Sequence, residues 1–185
     1  MELESKDTDK ILGKKNKKEL LEKIKNASDE RYVTVWNPEG QIIQQKKQSK
    51  IKSGKKAKQS GAKFELKTRD DLQKKGWIVD KWSNNFDLES DKIIPAKRKF
   101  NPFSKIMTIG TGFPDYLCFQ KMGEYYKVIG VECKVNGLLS KQEKQKCVRF
   151  LKSEIFSQIL IAKKSNQKKE VEYEDFKEKY SKLFK

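Results

Sequence analysis

The strongest constraint on this chain is the alternation of its elements after Gly61. Ala62 to Lys75 (AKFELKTRDDLQKK) reads as a helix stopped by Gly76, and Trp77 to Trp82 (WIVDKW) alternates as a strand does. A long polar and basic loop runs through Pro95, Pro102, Gly110 and Gly112. Asp115 to Gln120 (DYLCFQ), a turn at Gly123, and Tyr126 to Val135 (YKVIGVECKV) then read as two strands with a hairpin-like connection. Ser140 to Lys152 reads as a helix, Gln158 to Ala162 (QILIA) as a short buried strand, and Tyr173 to Phe184 as a terminal helix. The order α-β-β-β-α-β implies an α/β layer built on a mixed sheet.

The first 60 residues have a different texture. They hold 16 basic and 9 acidic side chains, and Gln41 to Ser60 alone carries seven lysines and no acid. That stretch is too polar to bury, and it reads either as a flexible basic arm or as a solvated tail. Ahead of it, Lys17 to Lys25 suits a short helix, and Tyr32 to Trp36 followed by Asn37-Pro38-Glu39-Gly40 suits a strand and a turn. The expected organisation is a basic extension over 1–60 and one domain over 61–185.

Charge and composition narrow the function. Among 185 residues, 43 are Lys or Arg and 26 are Asp or Glu, a formal net charge of +17. Such an excess favours a polyanionic partner, nucleic acid before an anionic membrane surface. The chain contains no histidine. This excludes Ser-His-Asp and Cys-His catalysis, Cys₂His₂ fingers and HExxH zinc sites. Cys118, Cys133 and Cys147 include no CxxC pair and read as reduced, largely buried thiols. No apolar run approaches the roughly 20 residues of a membrane span, and the N-terminus lacks a signal-peptide core. The expected location is the cytoplasm, with no membrane partner.

Three places carry candidate chemistry. On the first helix Ala62, Leu66, Arg69 and Leu72 form one stripe, and Glu65 falls about 20° from Leu72. It is either an inward carboxylate needing a partner or a partly exposed residue at the stripe's edge. Asp115 opens a strand directly after Gly112-Phe113-Pro114. Within Val131-Glu132-Cys133-Lys134-Val135, period-two alternation sends Glu132 and Lys134 to one face and the three apolar residues to the other. A carboxylate and an ammonium side by side in an apolar strand have no structural need, unless the strand is a solvated edge.

Pro114-Asp115, then 16 residues, then Glu132-Cys133-Lys134, preceded by a helix carrying Glu65, resembles the PD-(D/E)xK nuclease superfamily. Gly61-x-x-x-Glu65 followed by Leu72 and Gly76-Trp77 is similar to the opening of its archaeal Holliday junction resolvases. The resemblance covers roughly Gly61 to Lys163. It implies a restriction-endonuclease-like core, a mixed β-sheet flanked by helices, and metal-dependent DNA endonuclease activity, with branched or junction DNA in repair and recombination as one substrate class. It also implies that Asp115, Glu132 and the Cys133 backbone carbonyl bind Mg²⁺ or Mn²⁺, that Glu65 orients a metal-bound water, and that Lys134 positions the nucleophilic water. Resolvase-like members usually work as two-fold homodimers.

The departure from the resolvase pattern lies between Trp82 and Asp115. There Lys92, Lys97, Arg98, Lys99 and Lys105 are interleaved with Phe100, Phe103 and Phe113, without an acid from Lys92 to Pro114. Such a loop either clamps a DNA backbone and stacks on unpaired bases, or packs its phenylalanines locally. On the helix after the ExK strand, Ser140 and Glu143 fit a capping box, while Lys141, Gln142, Lys144 and Gln145 are DNA-facing candidates. Cys147, Phe150 and Leu151 mark that helix's core face. The competing expectation is a non-catalytic nucleic-acid-binding module that keeps the nuclease fold.

Overall fold

The computed structural model describes residues 16–101, 106–109, 112–165 and 170–184, with the side chains of 98–101 and 106–109 left undescribed. The chain divides into two compact units between Gln59 and Ser60.

In the first unit, residues 16–27 are helical (α1), and β1 (Tyr32–Trp36) pairs antiparallel with β2 (Ile42–Lys47). The turn between them is closed by Asn37, whose amide donates to the Gln41 carbonyl and whose Oδ1 accepts from the Gln41 amide at 2.6 Å. Gly40 sits at φ 76°, where a side chain is disfavoured. The lysine-rich stretch from Gln41 to Ser60, expected as a flexible basic arm or a solvated tail, supplies β2 and then enters helix α2 (Gln48–Lys74). Lys, Gln and Ala are good helix formers without burial, which a reading based on apolar content overlooks.

The second unit is mixed α/β. β3 (Ile78–Lys81), β8 (Tyr116–Met122), β9 (Tyr125–Cys133), β10 (Gln158–Lys164) and β11 (Val171–Asp175) form a five-stranded sheet in the order β11-β10-β9-β8-β3. β9 and β10 run parallel, and the remaining neighbours are antiparallel. Helix α3 (Lys141–Lys152) connects the parallel pair. The sheet has a helix on each face. Phe64 and Leu72 of α2 share a core with Val79, Cys118, Val131 and Ala162, while Cys147 and Phe150 of α3 pack with Phe156, Ile159, Ile161 and Phe176. Strand alternation explains the division, since Ile159 and Ile161 point to one face and Leu160 and Ala162 to the other.

Four details differ from the sequence reading. The buried stripe of α2 is Phe64, Thr68 and Leu72, whereas Leu66 is 59% exposed and Ala62 is exposed. A stripe drawn through apolar residues skips Thr68, which is buried because its hydroxyl donates to the Phe64 carbonyl at 3.0 Å. Val135, expected on an apolar face, lies beyond the end of β9 and is 42% exposed. The expected loop after Trp82 contains two antiparallel ribbons, β4 (Asn84–Asp87) with β5 (Lys92–Pro95) and β6 (Arg98–Asn101) with β7 (Ile106–Ile109). The expected terminal helix is a strand, β11, then one turn of helix α4 (Phe176–Lys179) and a 3₁₀ turn (Ser181–Phe184). Pairing with β10, reinforced by Lys163 between Glu172 and Glu174 at 3.0 and 2.7 Å, overrides the helical propensity of that segment.

Among the described residues, no helix is long and apolar enough to cross a membrane.

Candidate functional site

The site is set by register. β8 and β9 pair Tyr116 with Val131, which brings Asp115 beside Glu132 where the two strands meet the end of the sheet. Backbone amides of the two segments then donate to the carboxylates. The Asp115 amide donates to Glu132 Oε2 at 3.1 Å, and the Cys133 amide donates to Asp115 Oδ2 at 2.9 Å. Gly130, two residues upstream of Glu132, is required here because a Cβ would lie 2.8 Å from Pro114 Cγ.

Burial dominates the electrostatics. Glu132 is only 4% exposed, and burial together with the Asp115 charge pushes its carboxyl up to about 8, against the pull of Lys134. Burial also raises Asp115, which the Cys133 amide partly offsets, and Glu65 adds a further upward push. The Cys133 thiol is driven well above its ordinary value, chiefly by burial, and stays a protonated packing group.

Lys134 follows β9 directly, its amide donating to the Ala162 carbonyl of β10 at 2.9 Å. Its Nζ lies 3.0 Å from Glu132 Oε1 and 2.7 Å from Glu143 Oε1. Burial pulls this ammonium down, but the two carboxylates outweigh it and hold it above the usual lysine range. Ser140 and Glu143 do form the capping box of α3. Glu143 has a second task that the sequence reading missed: Oε2 accepts from the Ser140 amide at 2.7 Å while Oε1 binds Lys134.

Glu65 reaches the same region from α2. Its backbone carbonyl accepts from the Tyr116 hydroxyl at 3.0 Å, and its Oε2 lies 2.7 Å from Lys81 Nζ. Lys81, at the end of β3 opposite Tyr116, also sits 4.5 Å from the Tyr116 ring centroid and lowers Asp115 by its charge. Sequence reasoning missed it, because its register against β8 is decided across the long insertion that separates the two strands.

Glu65, Asp115, Glu132 and Lys134 are thus brought together, with Lys81 and Glu143 added. The two inner carboxylates are a pair rather than a cage. Among the described residues, no three Asp, Glu, Cys or His side chains gather closely enough to hold a metal ion.

The expected nucleic-acid contacts divide by place. Lys141, Gln142 and Gln145 are exposed on α3, and Lys144 is half-buried with its Nζ 4.5 Å from the Tyr180 ring centroid. Lys97 is exposed beside β5. Lys105 and Phe103 lie outside the described residues, as do the side chains of Arg98, Lys99 and Phe100. Phe113 is buried and packs with Phe86 and Phe150, so this one insertion phenylalanine serves the core.

No protein-family model, curated protein or solved structure matches the chain.

Proposed function

We propose that the chain is a metal-dependent DNA endonuclease of the PD-(D/E)xK kind that its motif resembles, with α2, β3, β8, β9, α3 and β10 as a restriction-endonuclease-like core. The observation that carries this reading is the Asp115 amide bonded to Glu132 Oε2, the Cys133 amide bonded to Asp115 Oδ2, and Lys134 Nζ 3.0 Å from Glu132 Oε1. The end of a sheet has no packing use for two carboxylates that burial strains toward protonation.

The donor chemistry fits Mg²⁺ or Mn²⁺. Both are hard cations, and Mg²⁺ takes one or two carboxylates and keeps several waters, so a pair suffices where a cage is missing. Asp115, Glu132 and the Cys133 carbonyl would hold the ion, which when bound supplies polarisation of the phosphoryl oxygen and acidification of water. The remaining roles belong to this chain's side chains. Lys134 Nζ, kept charged and fixed by Glu143, orients a water and neutralises charge gathering on phosphate oxygen. Glu65, held by Lys81, accepts a hydrogen bond from a water on the α2 side. DNA is the partner, with branched and junction forms the first to test, and a homodimer is the matching assembly for two-fold substrates.

One observation favours a second reading. Glu65 is occupied by Lys81 and, among the described residues, no third carboxylate joins the pair to hold a metal ion, which suits a non-catalytic nucleic-acid-binding module. Cleavage of linear, flap and four-way-junction DNAs in Mg²⁺, compared with EDTA and with Glu132→Ala protein, decides between them. Endonuclease action requires metal-dependent nicking that Glu132→Ala lacks, and a binding module gives none.

A further inference from the structure

A groove of about 420 Å³ runs along the outward face of α3, within the second unit. Its rim is cationic, formed by Lys141, Lys144, Arg149 and Lys152, and none of its lining residues is acidic. Its floor and far wall are apolar, formed by Val148 of the helix, Leu88 from the turn after β4, and Leu183 from the 3₁₀ turn. At about 100° per residue these α3 positions form one stripe, roughly opposite the buried Phe150. Lys141 and Lys152 are about 16 Å apart along the axis, the reach of a few nucleotides. Arg149 is bridged to Asp91 at 3.2 Å, both about half exposed, a contact that an incoming phosphate can replace at small cost. The stripe begins in the helical turn that carries Glu143, the partner of Lys134.

We propose that this groove is a binding subsite for an unpaired nucleic-acid strand, leading to the Asp115–Glu132 site. Charge fixes the class of partner, since three lysines and an arginine, with Asp91 the acid bridged to that arginine, complement a phosphodiester backbone. The apolar floor fixes its form. A duplex turns phosphates outward and keeps its bases stacked inside, so it has nothing to place on Leu88, Val148 and Leu183. A single strand, or the splayed arm of a branched DNA, can lay its bases there while its phosphates meet the rim. The inference rests on the nuclease reading for its biological sense, but its test does not.

The test measures equilibrium binding by fluorescence anisotropy with the full chain in EDTA, so that no cleavage occurs. Three probes are compared: a labelled oligothymidylate, an abasic strand of equal length, and a blunt duplex. Leu183→Asn removes the apolar wall without adding charge and should weaken the oligothymidylate about tenfold, while leaving the abasic strand and duplex within about twofold. The double variant Lys144→Glu, Lys152→Glu should weaken both single strands about tenfold or more, and the duplex less. Leu183 is 45% exposed, so its substitution spares the core. As a check that does not depend on variants, a strand carrying 4-thiothymidine should photocrosslink to the Lys141–Lys152 peptide of the unmodified protein. Oligothymidylate binding unchanged in both variants, duplex and strand weakened equally, or crosslinks mapping elsewhere would each overturn the proposal. Cleavage in Mg²⁺ is scored separately. Strand binding on α3 without cleavage removes the nuclease reading and keeps the groove, whereas cleavage with unaltered strand binding removes the groove alone.

Discussion

Lys81 holds Glu65: its Nζ lies 2.7 Å from Glu65 Oε2, and the same ammonium is 4.5 Å from the centre of the Tyr116 ring. Burial pulls this lysine down, and the Glu65 bond more than restores it, so it stays charged at neutral pH. An edge-strand lysine thereby fixes a carboxylate from a helix on one face of the sheet, and its field reaches Asp115.

Lys81→Met should therefore separate metal binding from turnover. Removing a cation beside the acids should raise Mn²⁺ affinity a few-fold. Cleavage should nevertheless fall about tenfold or more, because Glu65 loses its orientation. Mn²⁺ titration followed by electron paramagnetic resonance, alongside single-turnover cleavage, checks both. A variant with normal turnover would reduce the Lys81–Glu65 pair to a surface contact.

Asp115→Ala and Glu132→Ala each remove a proposed metal ligand and a negative charge from a surface facing a polyanion. Cleavage should collapse by several orders of magnitude. DNA affinity measured in EDTA should hold or rise. Nicking by purified Glu132→Ala at the wild-type rate would refute the assignment of these residues.

Glu132 also links stability to pH. Unfolded it titrates at its ordinary 4.5, and folded at about 8, so between these values the fold holds a proton that the unfolded chain has released. Its contribution is fully present below the lower value and is lost as pH rises through the upper one. Glu132→Gln keeps the neutral form, while Lys134 retains Glu143 as partner. In EDTA the variant should match the wild type below pH 4.5 and exceed it by several kcal/mol above pH 8, as read from urea midpoints. An equal gain at every pH would point to packing instead.

Gly112 precedes the Phe113-Pro114-Asp115 segment in a space without room for a side chain. A Cβ there would stand 2.1 Å from the Trp82 carbonyl oxygen and 2.5 Å from that of Asn84. Both are backbone atoms that cannot swing aside. Gly112→Ala should cost about 2 kcal/mol or more and displace Asp115. A thermal melt combined with the cleavage rate tests this, and an unshifted melting temperature contradicts it.

The exposed lysines at the start of α2 allow an electrostatic test. Replacing Lys50, Lys52, Lys55, Lys56 and Lys58 by Gln keeps helix propensity and removes five charges. If all five meet phosphates, the slope of log K against log salt flattens by about 4. An unchanged slope identifies them as solvating charges.

What could be read from sequence followed the range of the interactions involved. The Asp115–Glu132–Lys134 arrangement was legible because alternation along β9 and a turn at Gly123 (φ 67°) are local, and together they set the register. Lys81 was not, since its pairing with Tyr116 is decided after the chain has passed through two ribbons. Glu143 was half legible. Its cap is a four-residue pattern, but its other oxygen meets Lys134 only once α3 has docked on the sheet. The α2 stripe failed at Thr68, where a hydroxyl satisfied by its own helix passes for an outward residue. The C-terminal strand failed because its partner, β10, outweighs local preference.

The bond from the Cys133 amide to Asp115 Oδ2 is 2.9 Å long, and it makes one backbone proton a sensor of the carboxylate. Protonating Asp115, or drawing its oxygens toward a cation, weakens what that amide feels. The ¹⁵N–¹H resonance of Cys133 should therefore move with metal titration or pH before any substrate is present. An event among side chains would then be visible in an ordinary amide spectrum, without a catalytic assay.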